Sequence, residues 1–252
     1  MSLLNNMKSD NSIKGETDSV GMGGPKESGL YPVTVGMAYL QQSAGGAVGL
    51  NLTLKPTDGS AEIRQTLWIA SGNAKGNKNY YEKDGERFHL PGFNHANSLA
   101  LLTLGKEIGD VDTEEKIVNI YSRDAGAEVP TKVEVLMELL DQEILVGLQK
   151  QTVDRRQRQD DGSYQPTGET IDVNEIDKFF RASDSMTLAE DRDPDTTQAQ
   201  FVHTWAKKWE GVTRNRATGA TGNQGSAGAP ANPAAQGGAN NSQRSGLFPG
   251  AQ

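Results

Sequence analysis

The chain has no cysteine and only three histidines, His89, His95 and His203. Disulfides, thiolate zinc sites and thiol catalysis are therefore excluded, and little material is left for a metal site. No stretch approaches about eighteen uninterrupted apolar residues, so no membrane span is expected. The opening MSLLNNMKSDNSIKGETDSVG has no apolar core behind a basic start and does not read as a secretory signal. A phosphate-cradling glycine loop, a serine nucleophile elbow and a His-Glu-x-x-His motif are all missing. The expectation is a soluble cytoplasmic protein with no catalytic set, no metal and no cofactor.

Basic charge is also scarce. The 252 residues carry 25 cations against 33 acids, a formal net charge of -8. Coating duplex DNA by bulk charge is disfavoured on that balance. The spread matters more than the sum, because a local patch sets the field in its own cleft. Acids crowd residues 107–195, where Glu107, Asp110 and Asp112 read as solvated surface, without the alternating ligands and turn glycine of a calcium loop.

Three zones follow from composition. Residues 1–29 are polar and without apolar period, and read as a flexible arm. Residues 30–211 carry structural periods and form the expected domain. Residues 212–252 are rich in Gly, Ala, Asn, Gln and Ser and read as a disordered tail, ending in an apolar island at Leu247 and Phe248.

Within the middle zone, residues 33–42, 48–56 and 62–71 are short runs of Val, Leu, Ile, Thr and aromatics, each closed by a turn signal. They predict an antiparallel meander. Asp84-Gly85 between Tyr80-Tyr81 and Arg87-Phe88-His89-Leu90 predicts a hairpin arm. Residues 93–105 then show a helical period, with Asn94 or Asn97 placed to cap the start and Gly105 to end it. Strands are expected at 116–122, 132–139 and 143–154, and helices at 173–181 and 196–209. Phe201, Trp205 and Trp209 in the last of these make a docking stripe, with Lys207 and Lys208 on its wet side. The fold class is mainly β with a few helices. Three strands, a helix and more strands suggest an OB-type five-stranded barrel with an inserted hairpin arm and C-terminal helices.

The segment GNAKGNKNYYEKDGERFHLPGF, residues 72–93, sets Lys75, Lys78, Lys83 and Arg87 among Tyr80, Tyr81, Phe88 and Phe93. Single-stranded nucleic acid needs cations for its phosphates and flat rings for its unstacked bases, and this stretch has both. Tyr80 and Tyr81, as strand neighbours, point to opposite faces, so which of them meets a base stays open. Lys55, Arg64, Tyr121 and Arg123 could extend the surface, while Trp68 on its apolar strand reads as core.

The runs YYEKDGERFHLPGFNHANSLALLTLGKEI, EVPTKVEVLMELLDQEILVGLQKQTVD, YQPTGETIDVNEIDKFFR and EGVTRNRA resemble the single-stranded DNA-binding proteins of tailed bacteriophages. The likeness runs from about Tyr31 to Ala217, and its motifs fall at residues 81–85, 90–94 and 103–107. It implies an OB-type core, a setting in DNA replication or recombination inside an infected bacterium, and no catalytic activity. Many such proteins end in an acidic tail that competes with DNA. Here residues 213–252 hold three arginines and no acid, leaving 22 of the 25 cations against all 33 acids in the remainder. The tip at Leu247 and Phe248 is the expected contact for a phage polymerase or other replication protein. A cofactor that brings a phage RNA polymerase to single-stranded DNA, and a virion assembly protein, are the alternatives.

Overall fold

The computed structural model describes residues 24–122, 125–159 and 164–218. Its first three strands, β1 (Gly29–Gln42), β2 (Val48–Pro56) and β3 (Ile63–Ala70), form the expected antiparallel meander. Alternation drives it: Leu50, Leu52 and Leu54 are each at most 2% exposed, while Gly49, Asn51 and Thr53 fall on the opposite face. Strands β4 (Tyr80–Lys83) and β5 (Glu86–His89) then pair as a separate two-stranded hairpin. Its two-residue turn holds Asp84 and Gly85 at φ 53° and 83°, the positive values that a type I′ turn requires.

Helix α1 (Pro91–Leu104) starts two residues earlier than the period suggests, because Pro91 occupies the first helical position, where its missing N–H costs nothing. Neither Asn94 nor Asn97 caps it. Asn97 Oδ1 instead accepts the Ile108 N–H at 2.9 Å, and Gly105 closes the helix in a left-handed conformation.

Strands β6 (Glu114–Ser122) and β7 (Ala127–Val135) make a hairpin rooted on β1 at Tyr39 and Leu40. The strand expected through residue 139 stops at Val135 and gives way to a 3₁₀ turn, Met137–Leu139. Strands β8 (Glu143–Arg158) and β9 (Tyr164–Arg181) form the longest hairpin, and β8 also pairs with β1 from Gly29 to Thr34. Helices α2 (Leu188–Arg192) and α3 (Phe201–Trp209) follow, then β10 (Thr213–Asn215), which runs parallel to β8.

The described protein is mainly β with three α-helices, on a largely antiparallel eight-stranded sheet. The path β9-β8-β1-β2-β3 wraps one core of Val33, Val35, Leu50, Leu52, Leu54, Leu99, Val146, Leu148, Ile176 and Phe179. No ladder joins β3 to β9, so the sheet is not closed. Across that seam Gln65 Oε1 accepts the Ile176 N–H at 2.6 Å, and α1 packs against both strands.

Two helical expectations are corrected. Residues 173–181 are strand, the end of β9. A register shift against β8 between Gly147 and Leu148 leaves Asp177 as an extra residue, so Ile176 and Phe179, three apart, both reach the main core. That bulge imitates a helical period. Residues 196–200 are not helix either, because Glu190 Oε1 accepts the N–H groups of Gln200 and Phe201 at 2.8 and 2.7 Å and fixes the start of α3 there. As expected, Trp205 docks α3: it is 2% exposed and packs with Val202 and Phe180. Its Nε1–H donates to Asp177 Oδ2 at 2.6 Å.

The fold reaches past both expected domain boundaries. Lys26 N–H donates to Asn174 Oδ1 at 2.7 Å, and Ser28 Oγ donates to the Val212 carbonyl at 2.6 Å. No helix among the described residues is long and apolar enough to cross a membrane.

Candidate nucleic-acid interface

The register of β4–β5 sorts its side chains onto two faces. Directly opposed residues share a face, so Tyr80 with His89 and Glu82 with Arg87 lie on one, and Tyr81 with Phe88 and Lys83 with Glu86 on the other. On the first, Lys78 Nζ and the Arg87 guanidinium lie 5.3 and 5.0 Å from the Tyr80 ring centroid, within cation–π range. Arg87 also pairs with Glu82 at 3.1 Å. On the second, the Tyr81 and Phe88 rings stack with centroids 5.7 Å apart and planes 29° from parallel, and Phe88 is 41% exposed. Tyr80 is thus covered by its own cations, while Tyr81 and Phe88 form a ring pair open to solvent at its edge.

Lys75 stands exposed on the 3₁₀ turn Asn73–Lys75, before the hairpin. Among the described residues Lys75, Lys78 and Lys83 have no ion-pair partner. The hairpin is tied to the end of β3 where the Lys78 carbonyl accepts the Ser71 N–H at 2.8 Å, and to α1 where the Asn79 carbonyl accepts the Leu90 N–H at 2.8 Å. Phe93 faces elsewhere than Tyr81: it stacks on His89 at 4.7 Å and lines a groove of about 510 Å³ with Asn94, Asn97, Lys178 and Arg192.

A second surface is the outward face of β1–β2–β3. Its ladder sets Tyr39 against Asn51, Asn51 against Thr66, Gly49 against Trp68 and Thr53 against Arg64. Thr66 Oγ1 donates to Asn51 Oδ1 at 2.6 Å, and Asn51 Nδ2 donates to Gln41 Oε1 at 3.3 Å, so the polar side chains lie in a hydrogen-bonded row. Burial raises the Tyr39 hydroxyl's pKa, and the Arg64 charge opposes that rise. Arg64 is exposed and paired with Glu62 at 2.9 Å. The stem of Lys55 lies across Gly36, where a Cβ would meet its Cε at 2.6 Å. Trp68 is half-buried on this outward face and not in the core. The signal that reveals the face is the alternation of Arg64, Thr66 and Trp68 with Ile63, Gln65 and Leu67, and Tyr39 becomes part of it only through pairing with β2.

The structure brings Lys78, Tyr80 and Arg87 together, and Tyr81 with Phe88. It separates Tyr121, which is 65% exposed on β6, seven residues out from the hairpin root at Glu114 and so about 24 Å along the strand. Arg123, Leu247 and Phe248 lie outside the described residues. No protein-family model matches the chain, and no curated protein matches it significantly.

Proposed function

We propose that this chain binds and coats single-stranded DNA with little sequence preference, on an OB-type core, in phage DNA replication or recombination. The observation that carries the reading is the β4–β5 hairpin, where Tyr81 stacks on Phe88 and Lys75, Lys78 and Lys83 are left without acidic partners among the described residues. Unstacked bases gain from such rings without hydrogen-bond readout, and phosphates gain from such cations. The strand path β9-β8-β1-β2-β3, with α1 lying against both edge strands, supports the OB-type core. The outward face bearing Tyr39 and Trp68 supplies further rings, and Arg64 on it is held in an ion pair with Glu62. The motifs at residues 81–85, 90–94 and 103–107 support the phage setting.

The test is a titration with oligothymidylate and with duplex of the same length, read by tryptophan fluorescence at several salt concentrations. Four neutralised phosphates give a slope of log affinity on log salt near about -3 for single strands. Equal affinity for duplex and single strand, or affinity indifferent to salt, overturns the proposal.

A further inference from the structure

The β8–β9 hairpin continues well past the sheet. The last pair that β10 makes joins Asn215 to Thr152, and β8 runs on to Arg158. At the rise of an antiparallel strand, Arg158 stands about 20 Å beyond that pair. Register sorts this outer end as it does the first hairpin. Arg156 opposes Pro166, and Arg158 opposes Tyr164. Residues two apart on a strand, and residues directly opposed across it, share a face. Arg156, Arg158, Tyr164 and Pro166 therefore form one surface.

That surface has an unusual charge for this chain. The paired residues at this end, Arg156, Gln157, Arg158, Tyr164, Gln165 and Pro166, include two cations and no acid, in a protein of net charge -8; the sequence between them adds Asp160 and Asp161, outside the described residues. Both arginines are exposed, and neither has an ion-pair partner among the described residues. Their neighbour Arg155, at the irregularity in the ladder, is by contrast neutralised by Glu169 at 2.8 Å. Tyr164 is 47% exposed and belongs to neither core cluster. Two guanidinium forks beside a flat ring fit a polyanion that also presents aromatic faces, because arginine accepts phosphate through paired N–H donors and tyrosine accepts a base by stacking.

We propose that the outer β8–β9 arm is a second contact surface for single-stranded DNA, with Arg156 and Arg158 on phosphates and Tyr164 under a base. The inference rests on the function proposed above and deepens it. A strand long enough to leave the first surface engages the arm, and a short one does not.

The experiment compares the full chain with an Arg156→Ala/Arg158→Ala double variant and a Tyr164→Ala variant. Each is titrated with oligothymidylates of about 6 and about 30 nucleotides, one within and one well beyond the ~4 to 16 nucleotides one OB-type fold occupies. A Gln157→Ala/Gln165→Ala variant, altered on the opposite face, serves as the control. Expected are unchanged affinity of every variant for the short strand, and a loss of about tenfold or more by the arginine variant on the long one. Its salt slope on the long strand falls in magnitude by about 1.4, at about 0.7 per phosphate contact. Wild-type affinity and slope on the long strand in both arm variants overturn the arm while leaving the single-stranded DNA reading in place. Failure of the unaltered chain to bind either oligonucleotide overturns both.

Discussion

Gly49 lies directly across the β2–β3 ladder from Trp68, and a Cβ at Gly49 would fall 3.3 Å from two Trp68 ring carbons and 2.7 Å from the Thr66 methyl. The missing side chain is what lets the indole lie against the outward face. Gly49→Val pushes the ring away and overpacks the row, at a cost of about 1 to 3 kcal/mol. From the middle of that range, about 2 kcal/mol, valine's better strand propensity returns at most about 1 kcal/mol, so urea denaturation is expected to show a net loss of about 1 to 2 kcal/mol. The fluorescence change on adding oligothymidylate is expected to shrink along with it. A variant as stable as the wild type, with the same fluorescence response, shows that the Gly49 space is not what seats Trp68.

The two hairpin tyrosines are expected to separate experimentally. Tyr81 stacks on the exposed Phe88, whereas Tyr80 lies under Lys78 and Arg87. Tyr81→Ala and Phe88→Ala should each weaken oligonucleotide binding by about 1 to 3 kcal/mol, the value of one stacked base. Tyr80→Ala should act mainly through the cations that it orients, appearing as a shallower salt slope, and Tyr80→Phe should be silent because the ring is kept. Equal losses at both tyrosines, with an unaltered salt slope, would refute this division.

Much of this was legible because the determining contacts are close in sequence. Asp84-Gly85 specifies its own turn, Gly105 ends a helix, and Leu50, Leu52 and Leu54 announce an inner face by alternation. The clustering of Lys78, Tyr80 and Arg87 belongs to the same class, since one short hairpin makes it. What failed to show depends on distant partners. Trp68 finds room on its outward face only because Gly49, on another strand, has no side chain. The segment 173–181 looks helical because a bulge at Asp177 turns Ile176 and Phe179 the same way. Arg156 and Arg158 share a face with Tyr164 only through the register of a long hairpin, and Glu190 sets the start of α3 from the preceding helix.

His95 predicts a pH dependence near neutrality. Its Nε2 lies 3.0 Å from the Asp177 carbonyl and its ring meets Phe179 edge-on. Burial, aided by the Lys178 charge, lowers its pKa below the ordinary 6.5, against a smaller opposing pull from Asp177. The unfolded chain therefore binds the proton more readily than the folded one. This contribution to stability is complete above about pH 6.5 and is lost as pH falls below it, at no more than about 1.4 kcal/mol per pH unit. Urea midpoints measured at pH 7.5 and 5.5 should fall toward acid in the wild type, and His95→Gln should flatten the trend. An equal fall in both proteins assigns the effect to other groups.

Glu190 carries the opposite sign of shift and a lower window. Its carboxylate accepts the Thr187 N–H at 2.9 Å, closing a capping box on α2, and it also accepts the two N–H groups that open α3. Burial pushes its pKa up, but the hydrogen bonds to Thr187, Phe201 and Gln200 outweigh that and hold it below 4.5. The ionised form is the one the fold binds, so its contribution is present above about pH 4.5 and disappears as pH falls through the lowered value. Glu190→Ala removes the acceptor at the start of α3, worth about 1 kcal/mol, and the side-chain half of the α2 capping box, worth up to about 1 kcal/mol more, while Thr187 Oγ1 still accepts the backbone N–H of residue 190. Because Trp205 docks α3 on Phe180, loosening that helix should reach the indole. The variant is expected to lose about 1 to 2 kcal/mol in urea denaturation and to red-shift the tryptophan emission, while Glu190→Gln, which keeps an acceptor oxygen, should lose less. Equal losses in the two variants would assign the effect to the charge alone and not to the caps.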